Sequence, residues 1–478
     1  MKTTFLTFFA ALLLGAITTG YPAATIAASN SPSELLEKGI YNEETKGDID
    51  SAITIYQQLI AESDVNRSLA AEVQFRLGQC YLKKGRTADA NAAFEKLIHD
   101  FPNEKELVAK TRDLLPGKLT LGPVPWVNGE RMQLTISLPG GADIGVCEYR
   151  ADFVAGDSKA WGLGARLLAG AQSVSRVEAD AETFQPIKSH WKHSQFGEVW
   201  ATYRTNEVEI HRAGSSPATV PIDSPIYDNE EAMYLMRRLP LQVGYKTTLP
   251  ILSTLGGSGP MQIGLEVVGK ETVEVPAGKF DCVKVHLGVV NQDFWFSDNA
   301  HRYLVKFEAG PASAQLTSVV LRRAGETVAF QDKELGISFV APPGWVVWRA
   351  MHGQPEGQVL IRTLDPDADA TDGGMRLFAT DTLSETARQS ARAWAEEQIG
   401  QNKIIKVRSD SWTNFTIDGR PAVSCVLEYG QGTFSRVEYL ACVLGPKNSE
   451  HFVITSAPEK FDALKAQFDS ILASYRTK

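Results

Sequence analysis

The sequence contains no Cys-x-x-Cys pair, no run of lysines and arginines, and no low-complexity tract. Without paired cysteines, a zinc ribbon or a thioredoxin-type redox site has no support. Without clustered basic residues, a broad nucleic-acid interface has nothing to neutralise phosphates; "MRRLP" and "LRRAG" are isolated pairs. There is also no HExxH, no P-loop, no dinucleotide fingerprint and no aspartic-protease triplet. These absences leave cofactors without a recognisable seat. They do not exclude a hydrolase, because triads are assembled in space from distant positions. What is present is an ordinary globular composition, 43% hydrophobic and 22% charged, with a net charge of −9 that favours solubility. The chain of 478 residues is too long for one core, so about two to four domains are expected.

The first residues read MKTTFLTFFAALLLGAITTGYPAATIAASN. Lys2 precedes an apolar stretch from Phe5 to Ile17, and small residues follow from Thr25 to Ala28. This order reads as a cleaved export signal over residues 1–28. The stretch falls short of the ~20 residues that a membrane span needs. The first cysteine is Cys80, so a lipoprotein anchor after the signal is not expected. The mature chain is expected to be periplasmic or secreted, without an integral span once the signal is removed.

There are five cysteines: Cys80, Cys147, Cys282, Cys425 and Cys442. An odd count is a poor disulfide framework. Cys425 and Cys442 flank the hairpin signal "EYGQGTFS". A loop centred near Thr433 and Phe434 would set them opposite each other as a candidate disulfide. The other reading is two small buried hydrophobes.

Residues 31–116 read as helical. In "RLGQCYLKKGRTADANAAFEKLIHDFP", Leu77, Gly78, Tyr81, Ala90, Phe94 and Pro102 follow one pattern: small residues where helices approach, aromatics between them, proline at the close. An earlier copy places Gly47, Ala52, Tyr56 and Leu59 at a spacing of 38 from Gly85, Ala90, Phe94 and Leu97. This segment resembles tetratricopeptide repeats. The resemblance implies an unidentified protein or peptide partner. Two repeats make a short groove, so a scaffold role stands beside it.

From 120 to 323 the chain alternates like strands, with one helix expected at "DNEEAMYLMRRLP", capped by Asp228 and Glu231 and stopped by Pro240. "VPAGKFDCVKVHL" reads as strand, tight turn, strand, with Pro276 presetting φ and Gly278 taking a positive φ. Val283, Val285 and Leu287 then share one face. "FWFSDNAHRYLVKFE" makes a second hairpin. Trp191, Phe294, Trp295 and Phe296 either build the core of this sheet or line a cavity for a lipid or other hydrophobic ligand. Together with "TFQPIKSHWKHSQFGEVWATY", these segments resemble a family of exported bacterial domains of unknown function. That resemblance implies an open, curved, half-barrel-like sheet around a helix and carries no catalytic residues.

Residues 328–478 read as an α+β unit. It has an opening hairpin, a helix at "SETARQSARAWAEEQIG", a three-stranded meander and a closing helix with Phe461, Leu464, Phe468 and Ile471 on one face. With Gly336, Phe339, Pro342, Pro343, Gly344 and Trp345 at its start, the layout is similar to the PsbP-like α-β-α sandwich. That resemblance implies a binding or assembly module.

Three segments are weighed for chemistry. His190 and His193 in "SHWKH" would point to opposite faces of a strand, which argues against a shared metal. "DPDADATDGG" lacks the glycine and glutamate that a calcium loop needs. "LGGSGP" lacks the second glycine of a nucleophile elbow. No cofactor and no metal are expected. The expected fold is multidomain: helical repeats, a mainly-β curved sheet, then an α+β sandwich. The expected function is exported, non-catalytic binding through the repeats, in protein–protein or envelope-assembly work. A hydrophobic-ligand carrier and a hydrolase with a spatially assembled site are the alternatives.

Overall fold

The computed structural model describes residues 31–61, 66–84, 86–114, 119–156, 159–169, 171–222, 224–255, 259–288, 290–352, 359–363, 374–380, 386–401, 405–430, 435–444 and 449–477. Residues 365–373 of "DPDADATDGG", residues 256–258 of "LGGSGP" and the export-signal stretch lie outside them.

The chain begins with helices. α1 (Pro32–Ile40) runs into a π turn (Tyr41–Lys46), and α2 (Ile49–Ala61), α3 (Arg67–Lys83), α4 (Thr87–Asp100) and α5 (Lys105–Leu114) follow. Ser31 and Glu34 cap α1 reciprocally, each side chain accepting from the other's backbone N–H. Each helix packs on the next, around Tyr56, Tyr81, Phe94 and Leu97. The closeness has a cause in the sequence. A Cβ on Gly78 would collide with the Phe94 ring, and a Cβ on Gly39 with the Tyr56 ring. Gly39 thus repeats Gly78, in the half of the first copy where no glycine match is legible from spacing. Leu77, Gly78, Tyr81, Ala90 and Phe94 are all buried there. Pro102 is not: it is exposed in the turn after α4, where it ends the helix without joining the core.

Gly78→Ala tests this packing. The change gains about 1 kcal/mol of helix propensity. The displaced ring is expected to lose more, about 1–3 kcal/mol in an overpacked core. Hydrogen exchange of α3 and α4 amides should therefore quicken; unchanged or slower exchange would show that the ring shifts freely.

The middle of the chain forms one 15-stranded sheet. Its first half comprises β1 (Glu130–Ser137), β2 (Asp143–Val154), β3 (Ala160–Ala169), β4 (Ala171–Asp180), β5 (Pro186–His193), β6 (Gly197–Tyr203), β7 (Glu207–Arg212) and β8 (Ala218–Pro221). After β9 (Tyr227–Asp228) and α6 (Ala232–Arg237) come β10 (Lys246–Leu252), β11 (Met261–Val275), β12 (Gly278–Leu287), β13 (Gln292–Ser297), β14 (Leu304–Ala309) and β15 (Ala312–Leu321). Both halves are antiparallel meanders, apart from β9, which pairs in parallel with β10, and they join where β1 pairs with β15, Glu130 opposite Leu321. The far ends also meet. Trp191, Val199, Ala201, Val208 and Ile210 of β5–β7 share one buried cluster with Leu252 of β10. The Arg212 guanidinium donates to the carbonyls of Thr254 (2.7 Å) and Leu255 (3.0 Å).

The Pro276–Ala277 turn joins β11 to β12, with Gly278 at φ +129°. Val283 faces Phe296 and Val285 faces Phe294 across the next pair, so the apolar face is continuous.

The last part holds two sheets. β16 (Val328–Asp332) and β17 (Ile337–Ala341) form the small one, completed by β26 (Arg476–Thr477). The larger contains β18 (Trp345–Arg349), β19 (Val359–Thr363), β20 (Gly374–Thr380), β21 (Lys406–Val407), β22 (Thr413–Ile417), β23 (Arg420–Tyr429), β24 (Arg436–Leu444) and β25 (Ser449–Ser456). α7 (Ala387–Gln401) covers one face of it, with Ala387, Ala391 and Ala395 on Cys425, Leu440 and Cys442. α8 (Phe461–Ser474) covers the other, with Phe461, Leu464, Phe468 and Ile471 on Val426, Tyr439 and Ile454. Two cores on opposite faces make the unit a helix–sheet–helix sandwich.

This unit rests on the outer face of the large sheet. Trp348 Nε1 donates to Thr135 Oγ1 (2.9 Å), Gln133 Nε2 donates to the Val347 carbonyl (2.9 Å), and Asp143 accepts from the backbone of Met351 (2.7 Å) and His352 (2.9 Å). Val146, Val174, Val346 and Trp348 fill the contact. Among the described residues, no helix is long and apolar enough to cross a membrane.

Candidate functional site

A set of buried charged residues surrounds α6. "AMYLMR" has no polar face before Arg237, and all six residues are buried. A helix apolar all round belongs inside a protein. The charges flanking it therefore go inside too. Asp228, Glu230, Glu231, Arg237 and Arg238 are all buried.

Each charge is tied to a different element. Tyr203 Oη donates to Asp228 Oδ2 (2.5 Å), and the Asp228 N–H donates to Glu231 Oε1 (2.8 Å). Glu230 accepts from Ser175 Oγ and from Asn229 Nδ2 (3.1 Å). Arg237 Nη1 meets Glu130 Oε1 at 2.8 Å, and its Nη2 donates to the His301 carbonyl at 2.8 Å. Tyr234 Oη donates to the Arg150 carbonyl (2.6 Å), and its ring packs edge-on against Trp126. Arg238 Nε donates to the Gly122 carbonyl (2.9 Å). α6 thus links both halves of the large sheet.

Burial raises the pKa of all three carboxyls. It pushes Glu230 up to about 8, against the Ser175 hydrogen bond and with help from the nearby Asp228 charge. It raises Glu231 well above the usual range, with Asp228 adding to the rise. It raises Asp228 too, against the Glu230 backbone N–H and the Tyr203 hydroxyl. Glu230 therefore holds its proton near neutrality. Beside them lies a cavity of ≈30 Å³, lined by Ser175, Trp191, Glu230, Met233 and Phe307 among others. A water needs roughly 10–15 Å³ of such volume, so the space suits about two waters and no lipid.

The structure separates the four aromatics singled out for a ligand. Trp191 lines the small cavity, its Nε1 buried without a partner. Phe294 stacks on Phe296 and on Phe307 within the core. Trp295 points to the other face, between Lys284 and Lys306 at 4.7 and 4.6 Å, with its Nε1 on Glu271 (2.6 Å). The four do not line one pocket, because strand alternation splits the Phe294–Trp295–Phe296 run.

His190 pairs with Glu198 (2.7 Å) and stacks on Trp200. His193 is buried and accepts from the Gln195 and Phe196 backbone. A second pair escaped the sequence reading. Ser390 Oγ lies 3.0 Å from His451 Nε2, and Cys442 Sγ lies 3.9 Å from the same nitrogen. No spacing motif announces it, since α7 and β25 bring the residues together across 61 positions. All three are buried, and burial holds the imidazole down to about 4 and the Cys442 thiol up to about 11. The neutral imidazole cannot turn that thiol into a thiolate near neutrality.

The candidate disulfide is corrected by register. Cys425 lies opposite Leu440 and Cys442 opposite Val423, so the two cysteines are diagonal neighbours. Both are free thiols under α7. The pairing is centred one residue earlier than direct opposition would require. Native protein should leave both unmodified by iodoacetamide, and unfolded protein should take up one label at each without any reductant. A need for reductant would reveal a bridge.

Residues 148–316 match the DUF3108 family model, described as a protein of unknown function, and residues 72–104 match a tetratricopeptide repeat model. Both resemblances read from the residues are thereby met, the repeat over its second copy. No curated protein matches the chain. Among solved structures, the chain is similar to cyanobacterial PsbP (CyanoP) from Synechocystis, at 15% identity and a TM-score of 0.27, over 33% of this chain and 95% of that one. LpqN, involved in cell envelope biogenesis of Mycobacterium tuberculosis, is similar at 13% identity and a TM-score of 0.24, over 32% and 91%. MucB in complex with MucA(peri) is similar at 9% identity and a TM-score of 0.17, over 73% and 94%. Likenesses this distant carry no argument about what this chain does.

Proposed function

We propose that this chain, which carries a tetratricopeptide repeat and a DUF3108 region, is an exported, non-catalytic binding protein of the cell envelope. It docks a protein or peptide partner through the helices of residues 31–116. The observation that carries this reading is the twofold helix packing around Gly39 with Tyr56 and Gly78 with Phe94, in the segment that matches the repeat model. Stacked helix pairs present an extended surface suited to a peptide. α3 and α5 also approach β10 and β11, so one side of the repeats is turned to the chain's own sheet. The partner takes what remains, including the half-exposed Tyr41 on the π turn.

In this reading, residues 120–323 and 328–478 are two further domains. The large sheet acts as a half-barrel closed around α6, and the polar cluster holds that closure. Residues 1–28 act as the export signal and leave the mature chain periplasmic or secreted. A lipid carrier would need the ≈30 Å³ cavity to open well beyond its size here. A hydrolase would need water and substrate to reach the buried Ser390 and His451.

Affinity capture from the envelope fraction of the source cells tests the proposal. The full chain should recover at least one protein that the chain lacking residues 31–116 does not. Identical recovered sets, with the shortened chain shown to be folded by its melting curve, would contradict it.

A further inference from the structure

The two ends of the large sheet meet without a ladder. β8 and β9 end the strand order, and among the described residues no backbone pairing joins them. β9 itself pairs with β10 through Tyr227 and Asp228 alone. Side chains close this seam. They are the apolar cluster of Trp191, Val208 and Leu252, the Arg212 guanidinium on the Thr254 and Leu255 carbonyls, and the acids around β9.

Those acids reach across the seam. Asp228 accepts from Tyr203 of β6, and Glu230 accepts from Ser175 of β4. Asp228, Glu230 and Glu231 are all buried, and every donor they meet is a hydroxyl, an amide or a backbone N–H. Among the described residues none of the three has a cation beside it. Arg237 and Arg238, at the far end of α6, turn to Glu130 and to the Gly122 carbonyl. The titratable groups that face the acids are Cys147 and Tyr149 of β2, Tyr203, and Tyr227 of β9. Burial raises all four, which keeps them neutral.

Carboxyls crowded in this way cannot all ionise, because each buried charge raises the cost of the next. The ≈30 Å³ cavity beside Glu230 is too small to hydrate three carboxylates. A retained proton is therefore part of the packing. We infer that the three carboxyls are a proton-operated latch: with its proton the cluster ties β9 and α6 to β4 and β6, and losing it opens the seam. This rests on the reading that the sheet closes around α6. Burial holds Glu230 up to about 8, against an ordinary 4.5, so the latch is shut in acid and releases as pH rises through 8. The opening is local: it uncovers the cavity and leaves the β1–β15 ladder in place.

Two thiols report on it. Cys147 lines the cavity, Cys282 lies on β12 in the other half of the sheet, and both are buried and free. The full chain is labelled with iodoacetamide at about pH 6 and about pH 9, and each site is read by peptide mass spectrometry. The ratio of the two rates cancels the general rise in thiolate. The Cys147/Cys282 ratio is expected to rise at least about tenfold over that range. In Glu230→Gln, which cannot ionise, it should stay within about threefold. Tyr203→Phe cuts the tie to β6 and should raise the ratio already at the lower pH. A level ratio in the unaltered chain, or an equal climb in Glu230→Gln, would overturn the latch. If Glu230→Gln does not fold, Tyr203→Phe decides, and an unchanged ratio at the lower pH overturns it. Fast labelling of Cys147 in the unaltered chain at both pH values would overturn the closure around α6, and the latch with it.

Discussion

Replacing Arg237 by methionine is expected to destabilise the large sheet by about 3–5 kcal/mol, the usual loss when one partner of a buried ion pair is removed. The reason is geometric. Arg237 has no exposed surface, and Glu130, its partner at 2.8 Å, is 2% exposed. Without the guanidinium, the carboxylate stays buried and unpaired. The His301 carbonyl loses its donor, and Trp126 loses the cation over its ring at 5.3 Å. A domain's whole stability is about 5–15 kcal/mol, so the loss should be plain in a urea melt followed by tryptophan fluorescence. Removing both charges together, as Glu130→Met with Arg237→Met, should recover most of it, because a well-packed apolar pair avoids the desolvation of both ions. Additive losses in the double variant would mean that the pair is not coupled.

The second large effect depends on pH. Glu230 is held protonated up to about 8 in the folded chain, against an ordinary value of 4.5. Between those values the unfolded chain releases this proton and the folded chain keeps it. Its contribution is complete below 4.5 and is lost as pH rises through 8. From about pH 6 to about pH 9 the loss from this one group is roughly 3 kcal/mol. Asp228 and Glu231 are shifted the same way and add to the trend. Glu230→Gln keeps an acceptor for Ser175 and cannot ionise. Its melts should fall less between those two pH values, by about that amount, and α6 amides should exchange more slowly at the alkaline end. A variant with the wild-type pH dependence would show that Glu230 is already ionised in the folded chain. At the acid end the sign reverses. Burial holds His193 and His451 down to about 4, so their contribution is present above 6.5 and lost as pH falls through 4.

Much of this fold is legible in local pattern, and its failures share one physical cause. The spacing of Phe461, Leu464, Phe468 and Ile471 predicts a helix buried on one face, and all four lie under β23–β25. Val283, Val285 and Leu287 alternate as a half-buried strand must, and they do face inward. Local period cannot report which distant strands meet. The β1–β15 pairing joins Glu130 to Leu321 across most of the large sheet's sequence, and the β5–β7 cluster with Leu252 is likewise non-local. The choice between a bridge and two small buried hydrophobes at Cys425 and Cys442 was open for the same reason, since one residue of loop centring changes opposition into a diagonal. The polar cluster around α6 was hidden because its acids read as an ordinary helix cap. The signal that would have found it was present: "AMYL" leaves α6 no solvent face, so whatever caps that helix is buried with it.

Native mass spectrometry of the full chain, isolated from its own cell envelope without detergent, asks most directly what the molecule holds. A complex with a protein-sized partner is predicted, and the partner should be missing when residues 31–116 are removed. A chain that instead carries a lipid-sized mass, with no protein bound and no change on that removal, would contradict the account.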